Sequence, residues 1–106
     1  MKNEKFFRML GLATRMHGVA FGEGAVRDSI KSGKAELVIV AEDASDNTKK
    51  RFRNSCDFYE KKLMIYSDRF SLGKCTGREF AVVISVTDKN IAKSIIGSFD
   101  ENSETV

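Results

Sequence analysis

The sequence predicts an α/β domain: a three-layer α-β-α sandwich around a small mixed sheet of about four strands. Three observations predict it. Short apolar runs rich in β-branched residues alternate along the chain with segments whose apolar residues recur at helical spacing. The run Leu37-Val38-Ile39-Val40-Ala41 is apolar at every position and too short for a helix, so it is a strand covered on both faces. A chain of 106 residues suffices for one domain burying about two-thirds of its unfolded surface. Alternation of this kind places helices on both sides of a sheet.

Residues 4–16 set Phe6, Leu10 and Ala13 on one stripe, with Phe7, Met9 and Leu12 beside it, and predict an amphipathic helix. Gly11 costs that helix about 1 kcal/mol relative to Ala. His17-Gly18 breaks the pattern, and Val19-Ala20-Phe21 reads as a short strand. Gly22-Glu23-Gly24 leads into a second helix through Ala25, Val26, Ser29 and Ile30. Gly33 stops it, with Lys31 and Lys34 near the C-terminus where positive charge is favoured. After the central run, Ala44-Ser45-Asp46-Asn47 offers caps for a helix over 46–59, with Thr48, Phe52, Cys56 and Tyr59 on one stripe. Residues 62–66 form a strand, and 68–73 a short helix capped by Ser67 or Asp68. A loop with two bases follows over 74–78, then a buried strand over 81–86. Thr87-Asp88 caps a closing helix with Ile91, Ile95 and Phe99 inward. Residues 1–99 are thus expected as one domain and 100–106 as an acidic, disordered tail.

The formal net charge is +3, but 100–106 hold three acids and no base, leaving eighteen bases against twelve acids elsewhere. A basic body suits a polyanionic partner, with Lys49-Lys50-Arg51, Arg53, Lys61-Lys62 and Arg78 as contributors to a patch. The longest apolar run falls far short of the ~20 residues that span a bilayer, and the start of the chain does not read as a signal peptide. A cytoplasmic monomer is expected. Cys56 and Cys75 lack CxxC spacing and a Cys/His cluster, so reduced thiols are expected and no metal site. His17, the only histidine, reads as a surface turn residue. Glu42-Asp43 is a candidate acid pair, yet adjacent residues leaving a strand point in different directions. No catalytic residue and no cofactor are expected; a binding module is.

The central strand ends in Glu42-Asp43, followed by a helix start and the basic Lys49-Lys50-Arg51. In open α/β sheets ligands bind at the carboxyl ends of strands, so this edge is the expected place of function. Gly22 and Gly24 let the backbone approach a ligand closely and leave N–H groups at a positive helix end, suited to phosphate. The spacing is not GxGxxG, because position 27 is Arg27, and no P-loop is present.

Over residues 4–99 the sequence resembles the kink-turn RNA-binding ribosomal-protein family, which includes the archaeal large-subunit protein seven-Ae and the eukaryal protein thirty-e, and within it the bacterial YlxQ-type branch. The matching segments are FFRMLGLATR (6–15), the Gly22-Glu23 turn, SGKAELVIVAEDASDNTKKR (32–51), Cys56-Asp57-Phe58-Tyr59, LGKCTGRE (72–79) and VVISVTD (82–88). The resemblance implies the three-layer fold and binding of structured, kink-turn-like RNA, ribosomal RNA included, in a ribosome-associated protein. It also implies contacts from residues 22–28, Glu42-Asp43 and residues 76–80. The expected RNA-binding set is Gly22, Glu23, Gly24, Ala25, Arg27, Asp28, Glu42, Asp43, Lys50, Thr76, Gly77 and Arg78. Ribosomal, translation or transcription proteins are expected as further partners.

One stretch departs from the family pattern. Its RNA-reading turn runs Gly-Thr-Asn-Glu-x-x-Lys, and here the Asn, Glu and Lys positions hold Gly24, Ala25 and Asp28. Arg27 offers a base one residue earlier, about 100° round the helix. The alternative expectation is therefore a protein-interaction module that keeps the fold without kink-turn recognition.

Overall fold

The computed structural model describes residues 4–104, with side chains through Phe99. Its elements are α1 (Glu4–Arg15), β1 (Val19–Phe21), α2 (Glu23–Lys31), β2 (Leu37–Val40), α3 (Asp46–Phe58), β3 (Leu63–Ile65), α4 (Arg69–Cys75), β4 (Val83–Val86) and α5 (Lys89–Glu104). The predicted alternation is what the chain adopts. The α4 helix extends to Cys75, two residues past the expected end, because Thr76 closes it by donating its hydroxyl to the Leu72 carbonyl at 2.8 Å. The acidic tail expected over 100–106 overlaps the end of α5, and its side chains lie outside the described residues.

The four strands form one sheet in the order β1-β4-β2-β3. β2 runs parallel to β3, while β4 is antiparallel to both β1 and β2. The central position of β2 explains its unbroken apolar run, since every residue from Leu37 to Val40 is fully buried. Alternate residues serve opposite layers, as the pleat requires. Leu37 and Ile39 join Phe6, Leu10, Leu72, Ile84, Val86 and Ile95 beneath α1, α4 and α5. Val38 and Val40 join Val26, Ile30, Phe52, Cys56 and Val83 beneath α2 and α3. Two aromatic contacts bind the first layer: Phe6 meets Tyr66 and Phe99 edge-on, with ring centroids 4.9 and 5.7 Å apart. In the second layer the buried hydroxyls of Ser29 and Ser85 bond at 2.8 Å, fixing α2 against β4.

The caps follow from sequence. Ser45 accepts from the Thr48 amide at 3.1 Å, Asp68 from the Phe70 and Ser71 amides, and Asp88 from the Ile91 amide at 2.9 Å. The stripe on α3 is buried at Thr48, Phe52 and Cys56 but not at Tyr59, which is 38% exposed because the helix has ended and the chain turns. Cys56 and Cys75 are free thiols in clusters on opposite faces of the sheet, which keeps them apart. Among the described residues no helix is long and apolar enough to cross a membrane.

Candidate nucleic-acid interface

Strand directions decide where the site lies. β1, β2 and β3 finish at the edge of the sheet where β4 begins. Backbone bonds lace that edge together: Ala41 N–H donates to Val82, Glu42 to Ser67, and Ala81 to Arg69, at 2.8, 2.7 and 2.9 Å. The turns at 22–28, 42–43 and 76–80 therefore lie at one side of the sheet.

Gly22 leaves β1 with φ 87°, a left-handed conformation suited to glycine, and becomes the residue before α2. No side chain caps α2, so its first-turn amides face outward at the positive helix end. A Cβ at Gly22 or Gly24 would meet open space, so backbone conformation at Gly22, and not crowding at either, is what the turn demands. Ala25, Arg27 and Asp28 are exposed, while Val26, Ser29 and Ile30 face the core.

The loop over 76–80 is shaped by a glycine on α4. A Cβ on Gly73 would stand 2.6 Å from the Cα of Phe80 and 2.8 Å from the Arg78 carbonyl oxygen. Only glycine lets this loop fold back onto its own helix, where Arg78 N–H bonds the Gly73 carbonyl at 2.8 Å. The loop then presents Arg78, whose guanidinium lies 3.8 Å from the centroid of the Phe21 ring. A cavity of about 450 Å³ opens here, lined by Phe21, Gly22, Glu23, Arg78, Phe80 and Val82 among others. Phe80 is 54% exposed on its rim.

Charge at the edge is balanced. Glu23 is ion-paired with Arg51 of α3. Asp43 is held by Arg69, through its backbone amide at 3.1 Å and its guanidinium at 3.4 Å, and the guanidinium also donates to the Asp43 carbonyl at 2.7 Å. Glu42, Asp28 and Glu79 are exposed, as are Arg27, Lys50 and Arg78. The basic patch anticipated from composition is thus divided. Lys61 and Lys62 sit where β3 begins, at the opposite end of the sheet, because a whole strand separates them from the edge where it ends.

The expected site residues separate accordingly. Gly22, Glu23 and Arg78 share the cavity. Asp43 belongs to the neighbouring turn with Arg69, and Glu42 is exposed beside it. Lys50 is exposed on α3, next to the Arg51 that reaches α2. Thr76 is 6% exposed with its hydroxyl spent on its own helix, so it shapes the loop while Gly77, at φ 76°, turns it outward. Arg69 and Phe21 were not singled out from sequence, and Arg51 was marked as part of a basic patch but not as the partner of Glu23. Their partners lie 26 and 28 residues away for the two arginines, and 57 positions away for the ring. The alternation of bases and acids around the turns was the only available signal. Neither cysteine offers a nucleophile: burial raises both thiols to about 11, Asp57 adding to the rise at Cys56.

The fold matches known proteins. The profile of the ribosomal protein L7Ae/L30e/S12e/Gadd45 family matches residues 4–96. The chain belongs to that family. Among L7Ae-family relatives, the RNA-binding protein YlxQ of Bacillus subtilis (strain 168) is 37% identical over 100 residues, covering 94% of this chain and all of the relative. The RNA-binding protein YlxQ of Enterococcus faecium is 30% identical over 90 residues, covering 85% and 86%. A solved structure from Bacillus halodurans C, of a protein of unknown function, superposes with a TM-score of 0.88 at 31% identity, covering 91% of this chain and 97% of its own. The Giardia lamblia 15.5kD RNA binding protein superposes at 0.78 with 20% identity, over 93% and 91%, and shows the shared L7Ae-type fold.

Proposed function

We propose that the chain is a non-catalytic RNA-binding protein that takes folded, kink-turn-like RNA on the edge where β1, β2 and β3 end, in a cytoplasmic, ribosome-associated setting. One observation carries this reading. The side-chain-uncapped start of α2, opened by Gly22, shares a cavity with a guanidinium stacked on Phe21. Amides at a helix start receive phosphate, and an arginine on an aromatic ring offers a planar surface and fixed donors to an unstacked base. Glu42, and Asp43 held in place by Arg69, supply acceptors for exposed base edges. Two curated relatives bear the name RNA-binding protein, which supports the same class of partner.

Ion pairing favours the reading in a second way. Glu23 and Asp43 would repel phosphate if uncompensated, and each is neutralised by an arginine from another element. The test compares a kink-turn RNA with a straight duplex of equal length by titration at low salt. Preferential binding of the kinked RNA is expected, and equal or no binding of the two overturns the kink-turn assignment. Co-sedimentation with ribosomal particles, lost on nuclease treatment, is the expected sign of the ribosomal setting.

The second reading is a module that docks a protein on this fold. The observation that favours it is the turn itself, where Gly24 and Ala25 offer no polar side chain and Asp28 is acidic and exposed. A partner protein that stays bound after nuclease treatment would select it over the first.

A further inference from the structure

We infer that the end of the domain opposite this edge is a second RNA contact, a stacking platform for one unpaired nucleotide, built on Phe58 and Tyr59. The proposal goes beyond the kink-turn reading, and its surface shares no residue with the cavity at Arg78.

Phe58 is the last residue of α3 and Tyr59 its C-cap. Phe58 is 78% exposed, more than any other large apolar side chain described. The two rings stand edge to face, centroids 4.9 Å apart at 79°, so the Tyr59 ring steadies the Phe58 ring without covering both its faces. A single exposed ring with a supported edge is what a base needs for stacking, and the preference is sequence-tolerant because every base has a π-face.

The charges around the rings identify the occupant. Glu60, in the left-handed region at φ 57°, turns the chain back so that Lys61 and Lys62 follow the rings directly. Lys61 donates to the Gly33 carbonyl at 3.3 Å, which brings the end of α2 at Lys31 and the following loop with Lys34 to the same end of the domain. Four lysines there, Lys31, Lys34, Lys61 and Lys62, stand against Glu36, Asp57 and Glu60. The lysines also offset the negative end of α3, which would otherwise repel a phosphate. Met16, Phe70 and Phe80, the other large apolar side chains exposed among the described residues, lie in the turn after α1, in α4 and in the loop before β4. The rings therefore stand among charges and do not extend into an apolar surface of the kind a protein partner packs against. Aromatic faces among ammonium groups suit a single-stranded polyanion.

The experiment titrates a short unstructured oligouridine at low salt against the intact protein, Phe58→Ala, Phe58→Trp and Phe70→Ala, with a kink-turn RNA as the second ligand. Oligouridine affinity is expected to fall about tenfold in Phe58→Ala, to persist in Phe58→Trp, and to be unchanged in Phe70→Ala, an exposed ring on α4. Phe58 is exposed, so its replacement leaves the core intact, and circular dichroism of each variant checks this. Oligouridine binding that is absent, unchanged in Phe58→Ala, or lowered as much in Phe70→Ala overturns the platform. So does a variant that leaves RNA binding intact while releasing a protein partner. Failure of the kink-turn RNA alone strikes the edge at Arg78 and leaves the platform standing.

Discussion

Arg78 illustrates how one side chain acquires a role from its surroundings. Its guanidinium is oriented by the Phe21 ring, and the loop carrying it is pinned by the Gly73 carbonyl. Replacement by alanine is expected to weaken kink-turn RNA binding by about 1.5–3 kcal/mol, the range for a hydrogen bond to a charged group, read as a shift in Kd. Replacement by lysine should recover only part of it, since an ammonium cannot stack flat on the ring. The cysteines make the opposite case, of reactive groups made inert. With both thiols raised to about 11, the neutral form persists well past pH 8 and the thiolate appears only as pH approaches that value. Alkylation followed by mass spectrometry should therefore be slow at pH 8 in the native protein and fast once it is unfolded. Cys56 was legible as a core-type residue from its helical stripe, whereas Cys75 was expected in a loop. The orientation of Arg78 was not, because nothing near it in sequence announces an aromatic partner 57 positions earlier.

At the scale of elements, α4 and its following loop depend on two local devices. Gly73 permits the close approach of Phe80, and alanine there must push backbone apart, at an expected cost of about 1–3 kcal/mol. Urea unfolding should show the lower midpoint, and RNA binding should fall further than stability alone explains because the 76–80 loop moves. The second device is Asp68. Its carboxyl is held below the ordinary value chiefly by the backbone hydrogen bond from Ser71, with the Ser71 hydroxyl and the Phe70 amide assisting. A depressed folded-state value contributes stability that is present above the unfolded carboxyl range and is lost as pH falls through the depressed value. Melting temperature should therefore decline on acidification more in the intact protein than in Asp68→Asn, compared between neutral and strongly acidic pH. Helix starts of this kind were readable, since Ser45, Asp68 and Asp88 all stand where capping residues were expected. The end of α4 was misplaced by two residues because Gly73 looks like a stop, whereas its role is to admit a neighbouring backbone.

Across the whole molecule, the distribution of charge matters more than its sum. Pairing of Glu23 with Arg51 and Asp43 with Arg69 leaves the proposed binding edge close to balanced, so RNA affinity is expected to rest on a few directed contacts. If about four or five phosphates of a duplex-like RNA are met, log K should fall against log salt with a slope of about −4. A slope near zero in a salt titration would show that the edge does not receive phosphate. The domain spans only 32 × 30 × 27 Å, so an RNA resting on the edge with a single-stranded extension passes within reach of Phe58.

Local order along the chain determined the class of fold, the identity of most caps, and the all-apolar central strand, because hydrophobic period and capping chemistry act between residues a few positions apart. Membership in the family was legible for the same reason, through contiguous segments from 6–15 to 82–88. Tertiary structure decided the strand order β1-β4-β2-β3, the ion pairs at Glu23 and Asp43, the stacking of Arg78 on Phe21, and the separation of Lys61-Lys62 from the proposed binding edge. Those features join residues distant in sequence, and their geometry exists only once the antiparallel placement of β4 beside β1 and β2 brings three strand ends and one strand start to the same side.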